Sequence, residues 1–126
     1  MPNYDSNLFN PPAPLAKVIV RNPETGASLS DVAMLIDSGA DVTMIPKYCA
    51  EALGINISSE KKYELMSFDG KRSLVSPVRL EIVFLNKNFK GQFLLTEQDW
   101  GILGRNILNN LTLLLDGPRL TWYEQK

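Results

Sequence analysis

Turn chemistry constrains this chain more than any other feature. Asn22-Pro23-Glu24-Thr25-Gly26, Asp69-Gly70, Asn86-Lys87-Asn88 and Asp116-Gly117-Pro118-Arg119 cut the sequence into short runs rich in β-branched and apolar residues. Gly and Asn supply the positive φ of tight turns, Pro fixes φ, and Asp bonds its own backbone, so these positions break helices and reverse strands. The runs left between them are 17–20, 28–36, 62–68, 73–85, 89–96, 111–115 and 120–123. Turn signals at roughly 8 to 12 residue spacing predict an all-β domain, a closed barrel or sandwich. Two short helices are expected. Pro46 opens one over 47–53, which Gly54 stops, and Arg105 to Asn110 forms the other after the glycine-bracketed run Gly101-Ile102-Leu103-Gly104.

A chain of 126 residues is one domain by size, with one core. Residues 1–15 stand apart: Pro2, Pro11, Pro12 and Pro14 lie among polar residues, a composition that predicts a surface or disordered arm preceding a domain over 16–126.

Charge and composition remove whole classes of function. Thirteen basic residues balance fourteen acidic ones, with no basic run longer than a pair, so neither nucleic acid nor an anionic membrane is an expected partner. The apolar run 111–115 is far shorter than the roughly 20 residues that span a bilayer. The opening MPNYDSNLFNPPAPLA lacks the basic and apolar regions of a signal peptide, and a lone Cys49 fits a reducing compartment. The expected location is the cytoplasm. With no histidine and one cysteine, the chain cannot build a Ser-His-Asp triad, a Cys-His pair or a zinc site rich in these ligands, and no phosphate or dinucleotide loop is present. No metal or cofactor is expected. Acid/base chemistry by carboxylates survives.

One carboxylate stands out. Asp37 follows the apolar Met34-Leu35-Ile36 and precedes Ser38-Gly39. A carboxylate at the end of a strand that wants burial needs hydrogen bonds, and the Ser hydroxyl and a glycine-permitted turn can aim donors at it. Taken alone, the triplet also reads as a plain turn.

Its surroundings carry more. Leu35-Ile36-Asp37-Ser38-Gly39-Ala40-Asp41-Val42-Thr43 resembles the active-site loop of the retropepsins, the retroviral-type aspartic proteases, and Ile102-Leu103-Gly104-Arg105-Asn106-Ile107-Leu108 resembles the family's second signature. The resemblance spans roughly 16 to 123. It implies an all-β closed barrel or sandwich with one or two short helices and a flap hairpin, and a homodimeric endopeptidase acting on an extended peptide or protein substrate. Only Asp37 has the apolar-Asp-Ser/Thr-Gly setting, so the second catalytic acid would come from a second subunit.

The resemblance further implies Asp37 as catalytic acid/base, with Ser38 bonding across the dimer and Gly39 and Ala40 lining the groove. Asp41 would touch substrate backbone and pair with Arg105, tying the loop to the short helix. Phe68, Asp69 and Gly70 would form the flap tip; Val42, Ile45 and Ile102 are candidate groove walls. Trp100, Trp122 and the leucine-rich end are expected in the core or dimer contact, and Cys49 as a half-buried hydrophobe. Departures from the family leave an alternative, a weakly active or inactive peptide-binding or dimerisation module. Ser38 stands where many members have Thr, and the chain ends differ from the short terminal strands that join the viral subunits.

Overall fold

Alternation along the strands builds the core. In β2 (Ala13–Arg21), Ala16, Val18 and Val20 are buried while Lys17 between them faces water. In β7 (Pro77–Phe84), Val78, Leu80, Ile82 and Phe84 are buried. This period of two fixes which face of each strand turns inward. The computed structural model describes residues 2–55, 63–66, 72–75 and 77–126.

The remaining elements are β1 (Tyr4–Asp5), β3 (Ser28–Ile36), β4 (Met44–Pro46), α1 (Lys47–Ala52), β5 (Tyr63–Met66), β6 (Arg72–Val75), β8 (Lys87–Thr96), β9 (Gly101–Leu103), α2 (Arg105–Leu108), β10 (Leu113–Asp116) and β11 (Thr121–Glu124). Neighbouring strands run β2-β3-β9-β4-β8-β7, and β2 pairs back on β7 to close a six-stranded barrel. The fold is all-β, with two short helices among the described residues. Closure removes sheet edges, and Met34, Ile45, Leu103 and Ile107 fill the interior with the β2 and β7 residues. Strands β5 and β6 pair antiparallel as a separate ribbon, and β10 and β11 as another. No helix among the described residues is long and apolar enough to cross a membrane.

Several elements differ from the sequence reading. Strand β2 begins at Ala13, inside the proline-rich arm, and the arm itself forms β1, pairing Tyr4 with Pro14. Asn3 bridges Thr121, while Tyr4 N–H donates to Leu120 C=O (2.8 Å) and Trp122 N–H to Pro2 C=O (3.2 Å). The arm is thus a strand between the barrel and the terminal hairpin. The β7–β8 turn is Leu85-Asn86, both at positive φ (53° and 62°), one residue earlier than Asn86-Lys87-Asn88. Two positive φ values mark the mirror-image turn that suits strand twist. The run 73–85 is two strands, β6 and β7. Helix α1 stops as expected near Gly54, at φ 64°. Cys49 is fully buried rather than half-buried.

Candidate active site

Strand β3 delivers its acid through a parallel ladder. Met34, Leu35 and Ile36 pair with Gly101, Ile102 and Leu103 of β9, and Asp37 N–H extends the ladder by donating to Leu103 C=O (3.1 Å). The chain then turns sharply: Ala40 N–H donates to Asp37 C=O (3.1 Å) and Gly39 N–H to Asp37 Oδ1 (2.9 Å). Asp37 is half-buried, and Ser38 and Gly39 beside it are exposed.

The second motif clamps this loop from beneath. Arg105 N–H donates to Ala40 C=O (2.8 Å), and its guanidinium Nη1 donates to Ser38 C=O (2.8 Å). The buried Thr43 hydroxyl accepts from Gly104 N–H (3.0 Å) and donates to Asn106 Oδ1 (2.6 Å). Gly104 has no room for a side chain: a Cβ there would strike the Val42 carbonyl and lie 3.0 Å from Ala40 O. Since φ is −93°, close approach rather than backbone conformation demands glycine here. Two segments far apart in sequence therefore form one rigid unit around Asp37.

The predicted residues divide accordingly. Asp37, Ser38, Gly39, Ala40 and Arg105 come together. Asp41 is exposed and makes no ion pair with Arg105 among the described residues; Arg105 reaches the Ser38 carbonyl instead. Ile45 is wholly buried and belongs to the core, not to a groove wall, whereas Val42 and Ile102 are half-buried. Phe68, Asp69 and Gly70 lie outside the described residues, between β5 and β6. Trp122 is buried against Phe84, and half-buried Trp100 packs edge-to-face on Phe9. Thr43 and Asn106 were missed as supports. A buried Thr followed by β4 reads as a strand residue, and only its pairing with Gly104 shows its role.

Cavities flank the loop. Val42, Thr43, Pro77, Gln92, Phe93 and Leu94 line one of about 260 Å³. On another side, Ile36, Ser38 and Arg105 face leucines of the chain's C-terminal part across a cleft of about 270 Å³. A further cavity, about 460 Å³, lies under the arm near Trp122 and contains none of these loop residues. No three His, Cys, Asp or Glu side chains cluster as metal ligands among the described residues.

This arrangement, an acid on a strand-end turn pinned by a Gly-Arg-Asn segment, agrees with what the sequence matches. Residues 26–110 match the family described as gag-polyprotein putative aspartyl protease, covering more than half of the chain. The chain belongs to that family. The fold is likewise similar to EIAV protease complexed with the inhibitor HBY-793, with a TM-score of 0.58 at 20% identity, over 78% of this chain and 86% of that one. None of the curated proteins matches the sequence. The retropepsin-like fold and aspartic protease family expected from the two motifs are thus the ones found.

Proposed function

We propose that the chain is an aspartic endopeptidase that works as a homodimer, with one Asp37 from each subunit forming the catalytic pair. The observation that carries this reading is the state of the Asp37 carboxylate. Oδ1 is oriented by Gly39 N–H, and no donor reaches Oδ2 among the described residues. An acid anchored by one oxygen and half-open by the other is suited to exchanging protons.

Two such groups in contact cannot both ionise, so they share a proton and titrate as a unit. The ionised member takes a proton from water, and the protonated member donates to the scissile carbonyl as the water oxygen attacks; the resulting tetrahedral species collapses with proton transfer to the leaving amine. No covalent intermediate is needed, in keeping with a chain that lacks histidine. Arg105 and Thr43 act by position: they hold the loop so that the carboxylates meet in one plane. Ser38, exposed beside Asp37, would bond to the opposite loop.

The substrate we assign is an extended peptide, paired by its main chain in the manner of an added strand. Phe68, Asp69 and Gly70, between paired strands β5 and β6, would close over it as the flap tip. The Val42–Phe93 cavity suits an apolar side chain, and exposed Asp41 a backbone N–H of the substrate. The cytoplasm is the proposed compartment, supported by a single, buried cysteine.

Incubating the chain with a peptide library at pH 3 to 8, with and without a statine-type transition-state analogue, tests the assignment by mass spectrometry. Inhibitable cleavage that disappears in Asp37→Asn is expected. Cleavage surviving that substitution refutes it, and capture of peptides without cleavage selects the binding-module alternative.

A further inference from the structure

The edge of β2 that faces away from β3 changes partner along its length. Over 19–21 it pairs with β7, and over 13–15 it meets the arm: Asp5 pairs with Ala13, Tyr4 with Pro14, and Leu15 N–H donates to Asn3 C=O (3.4 Å). Between these partners the edge opens at Lys17. Leu15 directs its N–H to Asn3 and its C=O to the Trp122 indole N–H (3.0 Å), so Lys17, two residues on, aims its own N–H and C=O into the same gap. Neither group has a backbone partner on this edge among the described residues.

Lys17 also lines the cavity of about 460 Å³ under the arm, a volume within the roughly 300–1,000 Å³ of small-molecule pockets. The deep wall is aromatic. Trp122 and Phe84, both buried, line it with their rings 5.9 Å apart, and half-buried Tyr4 adds a third ring. Two opposite charges, Asp5 and Lys17, line the same cavity, and neither is in an ion pair among the described residues. Asp5 Oδ2 accepts from Leu8 N–H (2.6 Å), which orients the carboxylate and leaves Oδ1 without a donor among those residues.

We propose that this cavity binds a free α-amino acid with a large apolar or aromatic side chain. Its ammonium donates to Asp5 Oδ1 and the Lys17 C=O, its carboxylate accepts from the Lys17 N–H and Nζ, and its side chain covers Trp122 and Phe84. A zwitterion fits because one carbon carries the donor and acceptor that a strand residue opposite Lys17 would supply, together with the charges that complement Asp5 and Lys17. Walls from the arm, β2 and β11 make the bound molecule a tie between arm and barrel. The cavity contains no residue of the Asp37 loop, so occupancy is read without peptide cleavage.

Titration of the full chain with L-phenylalanine, followed by calorimetry, thermal melts and the two indole N–H resonances, tests this. Saturable binding is expected, with a melting temperature that rises with ligand concentration. The Trp122 resonance, identified through Trp100→Phe, should move more than that of Trp100. N-acetyl-L-phenylalanine lacks the ammonium, L-phenylalanine amide the carboxylate and glycine the side chain. Each should bind roughly 10-fold or more weakly than L-phenylalanine, the scale of one charged hydrogen bond or one buried apolar side chain. Lys17→Gln and Asp5→Asn should weaken binding by a similar factor, whereas Glu24→Gln, at an exposed position outside the cavity, should leave it unchanged. If Asp5→Asn loosens the arm, Lys17→Gln decides, because Lys17 is exposed.

No response at about 10 mM L-phenylalanine overturns the proposal. So does binding that survives Lys17→Gln undiminished, that Glu24→Gln weakens equally, or that moves the Trp100 resonance alone. The acetyl derivative or the amide binding as tightly as the free amino acid also overturns it, and points to a peptide terminus as the occupant.

Discussion

Two carboxylates in this molecule receive opposite treatment. Glu81, on β7, is buried with its side chain 4% exposed, and both oxygens are satisfied: Arg21 Nη1 donates to Oε1 (3.0 Å) and Asn88 Nδ2 to Oε2 (2.9 Å). The Asn88 bond, then the charges of Arg21 and Lys90, hold Glu81 below the usual carboxylate range against the opposing effect of burial. Asp37 sits at the barrel's rim, half-open, with one oxygen held by Gly39. The fold completes one acid within the chain and leaves the other incomplete. A group kept for stability is saturated with donors, whereas the acid proposed for chemistry keeps one oxygen without a donor among the described residues.

The largest effect that would break this comparison is expected from Asp37→Asn. It should lower peptide cleavage by roughly 10²–10⁴-fold, the range for positioned acid/base groups, while leaving the melting temperature near its parent value. Paired turnover and thermal-melt measurements check it; a large loss of stability would make Asp37 another Glu81.

Gly104→Ala comes next. Its methyl meets the Val42 backbone carbonyl, so a cost of about 1–3 kcal/mol in denaturant unfolding is expected, together with reduced turnover as the loop shifts. An unchanged unfolding midpoint would deny that this contact is tight.

Thr43→Val keeps shape and removes the hydroxyl shared by Gly104 and Asn106. Losing it should cost about 1–3 kcal/mol, with turnover falling further than stability because the loop around Asp37 loses its brace. Thermal melts combined with kcat separate the two.

The smallest effect concerns pH. A folded pKa below the ordinary Glu value means that Glu81 contributes stability above the ordinary value, and that this contribution disappears as pH falls through the lowered one. Stability should decline on acidification across that window, and Glu81→Gln should flatten the decline. Melts from neutral pH downward reveal the slope; identical slopes in both proteins would show that Glu81 is not responsible.

Local chemistry explains what the sequence made legible. Asp37-Ser38-Gly39 announces its turn within three residues, Gly54 stops α1, and alternation along β2 and β7 marks the core. What escaped is non-local or atypical. The Thr43–Gly104–Asn106 contacts join distant segments, and nothing in a strand of three residues tells that Ile45 points inward. Leu85 at positive φ hides a turn behind an apolar residue. Pro14 argues against a central strand at its position, yet β2 starts before it. At Pro14 the strand has not reached β3, whose pairing begins at Leu15, so its missing N–H lies at an edge.

The ladder between β3 and β9 also sets the order in which the loop around Asp37 can be completed. Asp37 is translated early, but the strand that completes its bed is made only after β8, and the Arg105 clamp later still. Contacts of such sequence separation close slowly and cannot form on a partial chain. A fragment that stops before β9 therefore carries the acid without the ladder and the clamp that hold its loop.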